Sequence, residues 1–275
     1  MTPPKSARVM RQFHKMHGLG NDFVVLDGRD EPIAMTNALA KAVSDRHTGI
    51  GCDQLILLSK SDVADLKMDI WNADGSGAEA CGNAFRCVVK LAGVRTIETA
   101  GGIVAGSPGE DTVEVTLPAP SFGWDQIPLA YPMDTAALPM AWDELKHPMA
   151  INVGNPHLVF FADKVDERRL RELGPGIETD PVFPDRINVN IAQVEADGSL
   201  TLRTWERGAG LTLACGTGAC ATAVAAIRLR KVASPVAIHM KGGDLSIDWA
   251  EGQPIRMRGP ATHVFAGTID LEAFG

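Results

Sequence analysis

An offset of 134 residues brings the polar residues of this chain into register with themselves. Gly20-Asn21 falls on Gly154-Asn155, Gln54 on Asn188, Trp71-Asn72 on Trp205-Glu206, and Cys81-Gly82 on Cys215-Gly216, with no gap between them. Four separated clusters sharing one offset predict a duplicated fold of two related halves, each with its own cysteine and amides. Two such halves would build a site of near two-fold symmetry in the cleft between them. A site of that symmetry suits a reaction with two mirror-related faces.

The 275 residues, 45% of them hydrophobic, can bury a full core in one or two domains, and the repeat favours two. A formal charge of −8, with no basic stripe, argues against nucleic acid as a partner. No apolar run approaches the roughly 18 residues of a spanning helix, and the opening MTPPKSARVMRQ lacks an export-type apolar segment, so a cytoplasmic protein without a membrane partner is expected. In that compartment Cys52, Cys81, Cys87, Cys215 and Cys220 should stay reduced, and their odd number argues against a disulfide framework. Met1 to Arg11 reads as a small basic tail with no assigned function.

The pattern is mixed α/β. In the first half β-rich runs at Phe23–Leu26, Leu55–Leu58, Met68–Trp71 and Val113–Leu117 alternate with helical stretches at Ala38–Asp45 and Ala84–Leu91. The Pro-rich stretch from Pro118 to Asp134 reads as the connector. Strands near His157–Phe161, Ile187–Ile191 and Leu200–Trp205 and helices near Glu167–Leu173 and Ala219–Arg230 repeat the order, and runs at Val236–Met240 and Leu245–Trp249 close it. The expected halves are residues 12–124, carrying Cys81, and 125–262, carrying Cys215. Residues 263–275 form an extension that packs elsewhere, with the first half as one host.

Each register cysteine stands before glycine, a small polar residue and an apolar helix, as Cys81-Gly82-Asn83 and Cys215-Gly216-Thr217. At a helix N-terminus, unpaired N–H groups and the positive dipole end favour a thiolate and can hold a carboxylate. Taken singly, a cysteine at such a place is more often a small buried residue, and Cys87, Cys220 and Cys52 read that way. The cysteine spacings are not those of paired zinc ligands, and Cys-x-x-Cys is absent, so acid–base or nucleophilic thiols remain and no metal is expected. Asn21, Gln54, Asn72, Asn155 and Asn188 offer donors and acceptors to a zwitterion, and Arg207 could take a carboxylate through two parallel hydrogen bonds. Singly, each asparagine is as well read as a turn or cap residue. The register is broken where Asn72 meets Glu206 and Phe23 meets His157, so the second half holds the extra titratable groups. Asp74 and Glu79 read as turn and helix-start carboxylates.

The segments HKMHGLGNDFVVLD (14–27), RHTGIGCDQLILL (46–58), NADGSGAEACGNAFRC (72–87), VGNPH (153–157), FPDRINV (183–189) and ERGAGLTLACGTGAC (206–220) closely resemble the diaminopimelate epimerase family over nearly the whole chain. Departures are mild: Ala84-Phe85 stands where Gly-Ala is commoner, Cys52 where alanine is frequent, and Thr217 where serine is. The resemblance implies a homodimer whose halves are barrel-like sheets wrapped around a central helix. It implies a cofactor-independent interconversion of LL- and meso-2,6-diaminopimelate, a small diamino diacid. Cys81 and Cys215 would be the two bases, with His157 and Glu206 tuning protonation. Asn21, Gln54, Asn72, Gly82, Asn83, Asn155, Asn188, Glu206, Arg207, Gly216 and Thr217 would bind substrate. Racemisation of proline or another amino acid on the same fold is the alternative enzyme, which would not need Arg207. A binding protein without chemistry is the alternative class, which retention of both cysteines disfavours.

Overall fold

The computed structural model describes residues 10–78, 81–110 and 112–274; Glu79 and most of the basic tail lie outside them. Contacts divide the chain into two compact units, residues 1–108 with 261–275, and residues 109–260. Both are sheet-dominated mixed α/β structures.

In unit 1 the elements are β1 (Met10–Gly18), β2 (Asn21–Asp27), α1 (Asn37–Ser44), β3 (Gln54–Ser59), β4 (Leu66–Asn72), β5 (Gly77–Ala78), α2 (Gly82–Ala92), β6 (Thr96–Thr99) and β7 (Gly102–Pro108). Unit 2 holds β8 (Val113–Leu117), β9 (Ala141–Trp142), β10 (Leu145–Lys146), β11 (Met149–Asn152), β12 (Pro156–Phe161), α3 (Glu167–Glu178), β13 (Asn188–Val194), β14 (Leu200–Glu206), β15 (Gly210–Leu211), α4 (Gly216–Arg228), β16 (Val236–Met240), β17 (Gly243–Asp248) and β18 (Ile255–Gly259). The chain then returns to unit 1 as β19 (Thr262–Asp270) and a final 3₁₀ turn, Leu271–Phe274.

The strand orders repeat. Unit 1 runs β19, β1, β2, β3, β4, β6, β7, with β2–β3 and β4–β6 parallel and the others antiparallel. Unit 2 runs β11, β12, β13, β14, β16, β17, β18, β8, with β12–β13 and β14–β16 parallel. The last strand of each half is exchanged: β8 pairs with β18 in unit 2, and β19 pairs with β1 in unit 1. For that reason the units part at 108/109 and 260/261 rather than at the expected 124/125.

Each unit encloses a helix because that helix is apolar where strands surround it. In α4, small residues fill GTGACATAVAA, and Gly216 through Ala226 are all buried. A helix apolar on every side has no face for water, and α4 packs against β11–β14 and β16–β18. Similarly α2 buries Gly82 through Val89 and packs on β1, β7 and β19. It stops at Gly93, which takes a left-handed φ of 67° and returns its N–H to Val89. Helices α1 and α3 begin at side-chain caps, Thr36 to the Leu39 N–H and Asp166 to the Arg168 and Arg169 N–H groups.

Two readings change. The stretch 118–134 carries no helix or named strand but lies within unit 2, after β8, rather than between the halves, and its Ile127 and Leu129 are buried in the unit 2 core with Leu158, Phe160, Val189 and Ile191. Strands β1, β5, β6, β7, β9, β10, β11, β15 and β18 were not anticipated; β7, with six of seven residues at least partly exposed, lacks the buried alternation that marks a half-buried strand. Among the described residues, no helix is long and apolar enough to cross a membrane.

Candidate active site

Two register-related turns start both sites. Gly20 and Gly154 precede Asn21 and Asn155 with φ of 86° and 104°, which glycine adopts without strain. The Gly-Asn pairs are therefore turns, and they also place an asparagine at the head of a central strand.

In unit 1, Cys81 is the N-cap of α2, with its backbone extended and its side chain making no capping bond. Its thiol donates to Asn21 Oδ1 at 3.5 Å, and Asn83 Nδ2 donates to the same oxygen at 3.3 Å. The other end of the Asn21 amide donates through Nδ2 to Asp53 Oδ2 at 3.0 Å. A carboxylate only accepts, so Asp53 fixes the amide with its oxygen toward the thiol. Behind it, Arg46 bridges Asp53 and Asp22 at 2.7 Å each. Burial works to raise Asp22, but Arg46 and Lys15 hold its carboxyl down to about 2. Fully buried Arg86 lies in the first turns of α2 and donates to Asn83 Oδ1 at 2.6 Å. A Cβ at Gly18 would lie 3.0 Å from Asn83 Cβ and 3.1 Å from Arg86 Nη2, so the bare glycine lets β1 approach. Gln54 and Asn72 are cross-strand partners in β3 and β4, and Gln54 Nε2 donates to Asn72 Oδ1 at 3.0 Å. Asn72 in turn donates to Ser76 Oγ, leaving Gln54 Oε1 buried without a protein hydrogen bond.

Unit 2 surrounds its thiol differently. Cys215, the N-cap of α4, is buried; its sulfur accepts from the Gly218 N–H at 3.4 Å and lies 3.6 Å from Thr217 Oγ1. The thiol donates to Glu206 Oε2 at 3.1 Å, while Thr212 donates to Glu206 Oε1 at 2.6 Å. A helix N-terminus alone would lower this thiol's pKa. Instead burial first, and then the Glu206 charge, push it well above the ordinary value. The carboxylate is thus placed to receive the proton that the thiol retains.

His157 is fully buried and bonded at both nitrogens, Nε2 to Asn155 Oδ1 at 2.9 Å and Nδ1 to Asn190 Nδ2 at 3.1 Å. Burial and then the Arg207 charge lower its pKa to about 3, so the ring is neutral at ordinary pH. Asn188 is taken up by backbone on both sides, donating to Pro156 O at 2.7 Å and accepting from the Arg207 N–H at 3.0 Å. It holds the loop that carries Arg207, whose exposed guanidinium donates to Asp185 O at 2.9 Å. Glu178 fastens the same loop, accepting from Gly208 N at 3.0 Å and Trp205 Nε1 at 2.8 Å.

The sequence-derived residues therefore gather into two groups. Cys81, Gly82, Asn83 and Asn21 meet in unit 1, with Gln54 and Asn72 on neighbouring strands. Cys215, Gly216, Thr217 and Glu206 meet in unit 2, beside the set of Asn155, His157, Asn188 and Arg207. Cys52, Cys87 and Cys220 are buried core residues, and burial raises Cys87 to about 12. Asp74 is a turn carboxylate that accepts from Ser76 N and Oγ. Sequence reasoning passed over Asp53, Arg46, Arg86, Glu178, Asn190, Thr204 and Thr212. Only Asn190, alternate to Asn188 on β13, carried a signal, since period two puts both on one face.

The family described as diaminopimelate epimerase matches the chain over residues 13–118 and 149–264. The chain is 61% identical over 266 residues to the diaminopimelate epimerase of Rhizorhabdus wittichii, covering 96% of this chain and 97% of that one. It is 59% identical over 265 residues to that of Sphingopyxis alaskensis, covering 96% and 99%. Among solved structures, a hydroxyproline epimerase from Agrobacterium vitis with bound trans-4-hydroxy-L-proline aligns with a TM-score of 0.67 over 96% of this chain and 93% of that one. At 17% identity that likeness shows the fold.

Proposed function

The chain belongs to the diaminopimelate epimerase family, and from that premise we propose that Cys81 and Cys215 are the two acid–base groups with which it interconverts LL- and meso-2,6-diaminopimelate. The observation that carries the assignment is the Cys215 thiol 3.1 Å from the Glu206 carboxylate at the start of α4, matched in register by Cys81 at the start of α2. Proton transfer from Sγ to Glu206 Oε2 makes the Cys215 thiolate. That thiolate takes the substrate α-proton and becomes a thiol again, while the Cys81 thiol gives its proton to the opposite face of the same carbon and is left as the thiolate. The configuration inverts, and the reverse reaction exchanges the two roles.

The α-proton of an amino acid is weakly acidic, so charge that develops on the α-carboxylate needs fixed donors. The first-turn N–H groups of α2 at Gly82 and Asn83, and of α4 at Gly216 and Thr217, supply helix-terminal donors, each worth about 3 kcal/mol when aimed at such an oxyanion. Asn21, Gln54, Asn72, Asn155, Asn188 and Arg207 bind the charged ends of the diacid, the buried Gln54 Oε1 being suited to an ammonium. We place the enzyme in the cytoplasm as a homodimer, supplying meso-diaminopimelate to lysine and peptidoglycan precursor synthesis.

Proton NMR of LL-diaminopimelate in deuterated buffer tests the assignment. Reduced protein should exchange the α-proton and form the meso isomer, and Cys81→Ala or Cys215→Ala should abolish both. Exchange that survives either substitution would remove that thiol from the mechanism.

A further inference from the structure

The two register-equivalent asparagines are held the opposite way round. In unit 1 the Asn21 amide turns its NH2 back to the supporting Asp53 and its oxygen to the thiol. In unit 2 the Asn155 amide turns its oxygen back to the supporting His157. What decides the second orientation is the proton on the imidazole, because only an Nε2–H can donate to that oxygen.

Asn190 settles where the proton sits. Its Nδ2 lies 3.0 Å from Leu158 O and its Oδ1 lies 2.9 Å from Thr204 Oγ1. A backbone carbonyl only accepts, so the atom facing Leu158 is the NH2, and the amide cannot be reversed without setting two oxygens against each other. The second hydrogen of that NH2 meets His157 Nδ1 at 3.1 Å. Nδ1 must therefore be the bare nitrogen, Nε2 carries the proton, and Asn155 accepts it. Asn190 and His157 are both fully buried, so a bond lost between them is not replaced by bulk solvent and is costly. The register places Ile56 opposite Asn190, so unit 1 has no counterpart to this device.

We propose that Asn190 is a positioning residue which, by locking His157 in its neutral Nε2–H tautomer, turns the Asn155 amide so that its NH2 is directed away from the ring, as a donor for a substrate carboxylate. This rests on the reading of the function above. The structure thereby assigns unlike polarity to like residues: Asn21 turns its oxygen to the Cys81 thiol and Asn83, whereas Asn155 turns its NH2 away from the ring that holds its oxygen.

The test has two arms. In ¹⁵N–¹H correlation spectra of the wild-type protein, His157 should show an unprotonated Nδ1 and a protonated Nε2, and should keep them as the pH falls past the ordinary histidine value near 6.5. A protonated Nδ1 would overturn the proposal, and this arm needs no variant. In the second arm, Asn190→Asp replaces the donor with an acceptor of the same shape. It should move the proton to Nδ1 and raise KM for diaminopimelate roughly 10- to 100-fold, the worth of one hydrogen bond to a charged group, with a smaller change in kcat. Thr204→Val, which removes a bond to the Asn190 oxygen but leaves the amide anchored on Leu158, should change neither the tautomer nor KM to that extent. A normal KM in Asn190→Asp, or an equal rise in Thr204→Val, refutes a positioning role. Failure of the epimerase reading itself would be seen separately, as absence of α-proton exchange by the wild-type protein.

Discussion

Two glycines in helices should respond to alanine with opposite signs. A Cβ at Gly218, in the first turn of α4, would lie 2.7 Å from Asn190 Oδ1 and 2.9 Å from Thr204 Oγ1. Carbon and oxygen ordinarily approach to about 3.3 Å, so both oxygens must retreat by about half an ångström. They are bonded to each other at 2.9 Å, and the Asn190 amide is fixed at its other end by Leu158 and His157. Overpacking of this kind costs about 1–3 kcal/mol, and weakening the buried hydrogen bond adds about 1 kcal/mol. Alanine's helix propensity returns about 1 kcal/mol. Gly218→Ala should therefore destabilise by about 2 kcal/mol, a fall in Tm of about 4–8 °C for a chain of this size. Gly176, exposed in α3, has nothing within 4 Å of its missing Cβ, so Gly176→Ala should gain up to about 1 kcal/mol. Calorimetry of the two variants beside wild type measures both signs. A Gly218→Ala protein that melts higher than wild type would refute the contact argument. Because Asn190 moves, epimerase activity should fall as well.

Other consequences are as direct. Glu206→Gln removes a charge that raises Cys215, so in a Cys81→Ala background the alkylation of Cys215 by iodoacetamide should shift to lower pH; an unchanged profile would show that Glu206 does not act on the thiol. His157 has a pKa of about 3 when folded, against about 6.5 unfolded, so the unfolded chain binds a proton that the native one refuses. Its contribution to stability is whole above about pH 6.5 and is lost as the pH falls toward 3, by at most about 1.4 kcal/mol per unit, and His157→Gln should flatten that acid limb in urea titrations. Asp53→Asn frees the Asn21 amide to reverse, and should raise KM about tenfold in steady-state kinetics with little change in Tm.

The helices and the two thiols were legible because local rules decide them: an apolar run after Cys-Gly fixes where α2 and α4 begin, and the offset of 134 fixes their equivalence. The supports were not legible. Asp53 reads as an ordinary loop carboxylate until β2 and β3 pair and bring it to Asn21. Arg86 lies in a helix where a charge would be expected to reach water, yet it is fully buried among Asn83, Gly82 and Gly18. The raised pKa of Cys215 depends on burial, which overrode the dipole that the sequence advertises. Strand exchange was equally hidden, because β8 and β19 each follow their own half in sequence and pair with the other.

That exchange sets a timetable for synthesis. β7 ends at Pro108 and β19 begins at Thr262, so about 150 residues must be added before β1 meets its second neighbour. At about 5–20 residues per second, the ribosome holds unit 1 with an open strand edge for about 8–30 s. An unpaired edge is a template for joining other chains. While it is being made, the first half of this protein thus keeps β1 unpaired on one side, and that strand gains its second neighbour only when β19 has emerged.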